Sequence, residues 1–328
     1  MKLDMASLLR RREVNLAFLI LLLVAVVTLR APRFFSLDSF GAIIEDTGIL
    51  MILAIAQLFV IVTEGIDLSL GSTMGLTGMI VGVINMHYPA IPIPAIILIG
   101  LAVGLVLGLI NGTIISLGNV PAIIATLGTM SIYRGFVFIV GGGQWVGAHE
   151  MTEGFRMIPN HTFLGISSLV WITILVVIVA IVFLNYTKTG REIYAVGGNR
   201  IATAYVGIRT RAIDFMVYGI SGTLAGLGGL LYVSRYASAQ NDTAVGFELQ
   251  TGAACVIGGA SIAGGSGSVI GVVLGALFLG IVYNALTVVN LSPFYQMAIQ
   301  GFVILVGVIA NTVANRRLQL RLVKRRTL

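Results

Sequence analysis

Ten long apolar runs govern what this chain can fold into. They fall at about 14–29, 42–62, 68–85, 95–117, 121–141, 165–184, 213–234, 248–262, 268–289 and 294–314. A helix crossing the hydrocarbon core of a bilayer needs about 20 such residues. A transmembrane barrel would show short alternating segments instead. The expected fold class is therefore all-α: a polytopic membrane protein of about ten transmembrane helices, forming a single transmembrane domain over residues 1–328. The eighth run is short and broken by glycine, which makes it the weakest helix of the ten. Composition agrees, since only 10% of residues are charged against about 25% in soluble chains.

The basic residues set the orientation. Fifteen of the twenty Lys and Arg lie in residues 1–13, in the loop 185–212 and in the tail 315–328. The positive-inside rule puts these three segments, and so both termini, in the cytoplasm. The run 14–29 is followed by Arg30-Ala31-Pro32-Arg33 rather than a cleavage site, so it reads as a first span and not a signal peptide. The outer loops are 30–41 and 142–164. No stretch is long enough for a separate soluble domain, so any energy-coupling machine must be another chain. The net charge of +7 is accounted for by topology and lipid headgroups; no nucleic-acid partner is expected.

Glycine numbers 41. In a bilayer, glycines four apart mark faces where helices approach closely. Gly100, Gly104, Gly108 and Gly112 form one such stripe, and Gly267, Gly271 and Gly275 another. The stretches 104–121 and 275–293 each place a glycine one turn before an asparagine (Gly108/Asn111, Gly280/Asn284) and end in proline. They run in opposite directions, as an inverted repeat around a central path would.

Polar side chains at membrane depth are costly and mark packing contacts or a path. The expected path residues are Asn111, Thr126, Thr129, Asn284 and Gln300, joined by Arg134 and by Glu64, Asp67 and Ser69 of the segment 61–72. Gly65 breaks the helix there, and Asp67 and Ser69 suit the cap of the next one. No enzyme constellation emerges: His87, His149 and His161 lack metal-ligand spacing. GGASIAGGSGS (258–268) has no lysine and is no phosphate loop. Cys255, the single cysteine, is expected to be buried and inert.

The loop KTGREIYAVGGNRIATAYVGIRTR (188–211) is long, amphipathic and punctuated by glycine. It is expected to dock a partner, with Arg200–Tyr205 as one short helix. TGREIYAVGGNRIATAYVGI (189–208) resembles the cytoplasmic coupling segment of ribose-type bacterial ABC sugar-importer permeases. IVTEGIDLSLGS (61–72) is similar to that family's second-to-third-span motif, with Glu64 in place of its first glycine. VPAIIATLGTMSIYRG (120–135) and the stretch 246–280 also resemble it, in the same order. Finer likeness is to the rhamnose and autoinducer-2 branches.

The resemblance implies the permease subunit of an ATP-driven importer in a bacterial inner membrane. Implied partners are a cytosolic ABC ATPase, a second permease chain (identical or sister) and a periplasmic sugar-binding protein. No cofactor is implied on this chain; ATP and Mg belong to the ATPase. Implied ATPase-coupling residues are Arg191, Glu192, Gly197, Gly198, Asn199, Ala202, Tyr205 and Gly207. The alternative is an ion-coupled secondary transporter using Glu64, Asp67 or Arg134.

Overall fold

The computed structural model describes residues 12–30, 36–289, 291–292, 294–296, 298–299, 301–303, 305–307 and 309. In chain order the helices are α1 Arg12–Arg30, α2 Leu37–Val62, α3 Leu70–His87, α4 Ile93–Ser116, α5 Ala122–Val140, α6 Glu153–Asn160, α7 Ser168–Tyr186, α8 Lys188–Gly198, α9 Arg200–Tyr205, α10 Thr210–Tyr236, α11 Phe247–Ile257 and α12 Val269–Val288. An apolar helix over Phe294–Gly307 is described in part. The one small hairpin pairs β1 Thr162–Phe163 with β2 Ile166–Ser167. Gln300, residues 1–11 and the basic tail 315–328 lie outside the described residues.

Six helices (α2, α4, α5, α7, α10 and α12) are long and apolar enough to cross a membrane. Their burial differs sharply. The apolar window of α2 is 83% buried, against 22% for α4 and α7 and 28% for α5. α2 is therefore the axis of the bundle. Helices such as α4, α5 and α7 keep one stripe for the bundle and turn their other side chains outward, as lipid allows. Local chemistry sets the helix starts. Ser36 accepts the Ser39 amide at α2. Pro94 sits in the first turn of α4, where its missing N–H costs no intrahelical bond.

The glycine stripes do what close packing requires. A Cβ at Gly108 would strike the Tyr218 carbonyl and come within 2.9 Å of the Gly222 Cα. Gly104 meets Gly226 and Gly222 in the same way, making α4 and α10 the most extensive helix pair. Gly271 and Gly275 seat α12 against Gly258 and Ala254. The two Gly/Asn repeats do unlike work: Asn111 bonds across helices, whereas Asn284 donates to the Gly280 carbonyl of its own helix at 3.1 Å.

The run 248–262 is not one spanning helix. α11 has 11 residues, about 16 Å of rise, roughly half a crossing. The chain covers the rest unwound, from Ala237 to Gly246 before it. Beside α3, Ala239 lies against Gly82, Thr243 against Gly75, and Ala244 and Glu248 against Gly71. Residues 237–246 thus descend alongside a membrane helix instead of lying on the surface. The outer end is closed by the loop 142–164. Asn85 of α3 exchanges two 2.9 Å bonds with Thr152, which also caps α6.

Candidate functional site

Two stretches inside the bundle are unwound, and most of the expected polar residues sit at one or the other. The first is 63–69, between α2 and α3. Asp67 is buried and accepts from the Ser69 amide at 2.9 Å, the Ser69 hydroxyl at 2.6 Å and the Ser221 hydroxyl of α10 at 3.2 Å. Ser69 in turn accepts from Asn111 of α4 at 2.8 Å. Thr126 of α5 donates to the Ile66 carbonyl and accepts the Leu68 amide, both at 3.1 Å. Freed backbone groups at membrane depth must find partners within the protein. Here side chains from α4, α5 and α10 supply them, and Asn111, Thr126, Ser221, Asp67 and Ser69 form one interhelical network. Thr129 bonds back to the Ala125 carbonyl of its own helix at 3.2 Å. Glu64 is exposed, with φ 66°.

Beneath this stretch lie α8 and α9. Thr187 caps α8, and Asn199 caps α9 by accepting the Ala202 amide at 2.9 Å. Gly197 is wedged against the Val62 carbonyl and the Gly265 amide, where a Cβ has no room. Gly265 donates to that same Val62 carbonyl at 2.9 Å, and Tyr194 donates to the Gly267 carbonyl at 2.8 Å. α8 therefore touches both the end of α2, where the 63–69 stretch begins, and the glycine-rich turn 258–268. Arg200 adds a third tie. Its guanidinium forks onto Asp214 at 2.5 and 3.0 Å and donates to the Thr63 carbonyl at 3.3 Å. The bond to Asp214 raises the Arg200 pKa above its ordinary value, so the guanidinium stays charged.

The outward side of this element is open. Ile201, Tyr205 and Val206 are 71%, 88% and 75% exposed. Arg191, Gly198, Ala202 and Gly207 are exposed too, and nothing lies within 4 Å of a Cβ at Gly198. A cleft of about 610 Å³ runs between α8 and 206–213, lined by Lys188, Arg191, Glu192, Val206 and Arg209 among others.

The second unwound stretch is 237–246. Arg134 is twelve positions beyond Ala122 in α5, about 18 Å of rise and so about two-thirds of the way along the helix. Its Nη1 donates to the Thr243 carbonyl at 2.7 Å. Glu248 and Asp242 are the acidic groups that face it. Glu248 accepts the Gly246 amide through Oε1 at 3.2 Å, while Oε2 has no partner. Asn241 donates to the Gly143 carbonyl at 3.2 Å, and its Oδ1 is also unpaired. Asp242, Val245 and Leu249 are exposed.

Sequence reasoning missed Arg200, Asp214, Ser221, Asn241 and Asp242. Asp214, a lone acid in the run 213–234, was the available signal. Among the described residues, no three His, Cys, Asp or Glu side chains come together as metal ligands would.

The model of the family described as branched-chain amino acid transport system / permease component matches residues 39–308. The ribose import permease protein of Haemophilus influenzae is 40% identical over 294 residues, spanning 89% of this chain and 90% of that protein. Its Escherichia coli K12 counterpart is 38% identical over 296 residues, spanning 89% and 91%. The autoinducer 2 import system permease protein of Salmonella typhi is 35% identical over 274 residues, spanning 83% and 78%. No solved structure matches the chain. Apolar spans, unwound crossings and the full-length likeness agree: the chain belongs to this family of transport-system permease components and is a multi-pass membrane protein.

Proposed function

We propose that this permease is the membrane-spanning subunit of an ATP-driven importer of a neutral sugar or sugar-like solute, in the manner of ribose or autoinducer 2. The substrate class rests on the named relatives, which are permeases for ribose and autoinducer 2; the family description mentions amino acids. The observation that carries the coupling is the seating of α8 and α9. Their inner side is wedged against both 63–69 and 258–268, and their outer side offers an exposed apolar patch beside a charged cleft. Such a patch fits a protein partner, here a cytosolic ATPase that holds ATP and Mg. Arg191, Glu192, Gly198, Ala202, Tyr205 and Gly207 belong to the docking side. Gly197 and Asn199 hold the element in place.

A second permease chain faces Asp242, Val245 and Leu249 across a watery path, because a charged side chain at that depth avoids lipid. A periplasmic sugar-binding protein delivers solute at the outer end. The path follows the 237–250 crossing and Arg134, and ion coupling through Asp67 is disfavoured because both its oxygens are bonded. The test is purification of the chain from its native membrane. An ATPase and a binding protein are expected to come with it, and uptake of ribose, rhamnose or autoinducer 2 to need ATP. Uptake that survives ATP depletion and stops with an ionophore would overturn the proposal.

A further inference from the structure

The 237–250 crossing keeps polar groups that the fold does not use. Arg134 engages one protein partner, the Thr243 carbonyl. A guanidinium carries five donors, so most of its capacity is uncommitted. Glu248 Oε2 and Asn241 Oδ1 are buried acceptors without a donor. Unmade hydrogen bonds of this kind are costly unless something else completes them. The segment is unwound, so its backbone also requires either protein or a watery cavity. Asp242 adds an exposed carboxylate. Elsewhere in the membrane region Asn111 Oδ1 and the Tyr218 hydroxyl are also unpaired, but Asp67 there is fully bonded; only the 237–250 crossing combines unpaired acceptors with a charged guanidinium and an exposed carboxylate among the described residues. Gln57, wholly buried in α2, has neither amide atom paired, but nothing in the structure opens toward it.

We propose that Arg134, Asn241, Asp242 and Glu248 form a transit site for a neutral polyol, with sugar hydroxyls donating to the carboxylates and to Asn241 and accepting from Arg134. The proposal rests on the sugar-permease reading above. Hydroxyl pairs match this donor and acceptor set, since each hydroxyl both donates and accepts. Two carboxylates against one guanidinium disfavour an anion, so the site favours a free sugar over its phosphate ester. Gly71 and Gly75 leave the Glu248 carboxylate and the Arg134 guanidinium seated on α3, which keeps the site on a rigid wall. The occupancy is brief, because solute must leave toward the inner end.

The experiment uses the intact transporter with its ATPase and binding protein in lipid vesicles. Labelled ribose, rhamnose and autoinducer 2 are the probes. In Glu248→Gln and Arg134→Gln, solute moved per ATP hydrolysed is expected to fall about tenfold, the effect of one lost charge-assisted hydrogen bond. Asp242→Cys in whole cells reports on water access without depending on those variants. It is expected to react with membrane-impermeant thiol reagents, and to react more slowly under turnover with sugar. Cys255 is buried with its Sγ on the Ala54 carbonyl, so it gives no background. Parental stoichiometry in both variants, or an unreactive Asp242→Cys, would overturn the site alone. Parental chains that move none of the sugars would overturn the substrate reading, and the site with it.

Discussion

The stretches 63–69 and 237–246 are both unwound crossings, and they differ in what is left over. Around 63–69, side chains of α4, α5 and α10 bond the charged group Asp67, its neighbour Ser69 and the backbone, and what is left over is uncharged: Asn111 Oδ1 and the Tyr218 hydroxyl. Around 237–246, two buried oxygens stay unpaired and a guanidinium is mostly free. Lipid tolerates neither kind of break unless it is satisfied or wet. The satisfied break acts as a joint between helices. The unsatisfied one is the wall of the proposed path.

In the proposed coupling the joint is also where force from the ATPase enters, and that contact should show the largest effect. Gly197→Leu has to displace the Val62 carbonyl and the Gly265 backbone together. Overpacking of this sort costs about 3 kcal/mol or more where backbone must move. Loss of uptake together with a lower melting temperature of the solubilised chain is expected. Gly198→Leu meets no atom within 4 Å, so the same residue one position on should melt normally and act only through ATPase binding. Equal melting of the two variants would remove the wedge from the comparison.

The next largest effect separates the two crossings directly. Asp67→Ala strips the acceptor from three donors and should cost about 2–3 kcal/mol of stability. Asp242→Asn should change stability by less than about 0.5 kcal/mol, as for an exposed position, yet reduce transport. Melting curves and uptake rates on the same preparations check both. If Asp242→Asn melts early while Asp67→Ala does not, the roles assigned to the two breaks are reversed.

Arg200→Lys comes third. Lysine keeps the charge but cannot fork onto Asp214 and reach the Thr63 carbonyl at once. The Arg200 side chain is 41% exposed, so solvent screening limits the stability loss to about 1 kcal/mol. The informative measurement is binding-protein-stimulated ATP hydrolysis against uptake. Uptake is expected to fall more than hydrolysis, because the ATPase still docks while its movement reaches 63–69 less faithfully. Parallel loss of both would make Arg200 a docking residue.

How far these roles were legible in the sequence depends on the kind of signal. Hydropathy runs placed the long helices within a few residues, and the glycine stripes of α4 and α12 named their own contact faces. Arg200–Tyr205 was readable as a short helix because Asn199 supplies a cap and Gly207 a stop. The segment 237–246 was not readable. SAQNDTAVG is polar and turn-rich, like a surface loop, and only the position of α3 beside it shows that it lies at membrane depth. Bonding partners were equally hidden. Asn111 and Thr126 stood out as polar residues in apolar runs, but period and composition say nothing about whether such a residue meets another side chain or open space. Arg200 and Asp214 are fourteen positions apart across a helix boundary, beyond any local spacing rule.

The smallest expected effect concerns Glu64, where the sequence departs from the glycine of the ribose-type motif it resembles. Its φ of 66° is in the left-handed region, which costs a residue with a Cβ about 1–2 kcal/mol. Glycine relieves that cost but gives back roughly 0.5–1 kcal/mol through the extra freedom of its unfolded chain. Glu64→Gly should therefore stabilise the chain by about 0.5 kcal/mol, a rise of only one or two degrees in melting temperature for a chain of this size. The carboxylate lines a cavity of about 280 Å³ with Thr63, Asn119, Arg200, Asp214 and Tyr218, at the inner end of the satisfied joint. If that cavity is only a by-product of the joint, transport is unchanged in Glu64→Gly. A drop in uptake from a chain that melts no earlier would mean that solute or water leaves through this cavity, and the joint would have to share the role given to the path wall.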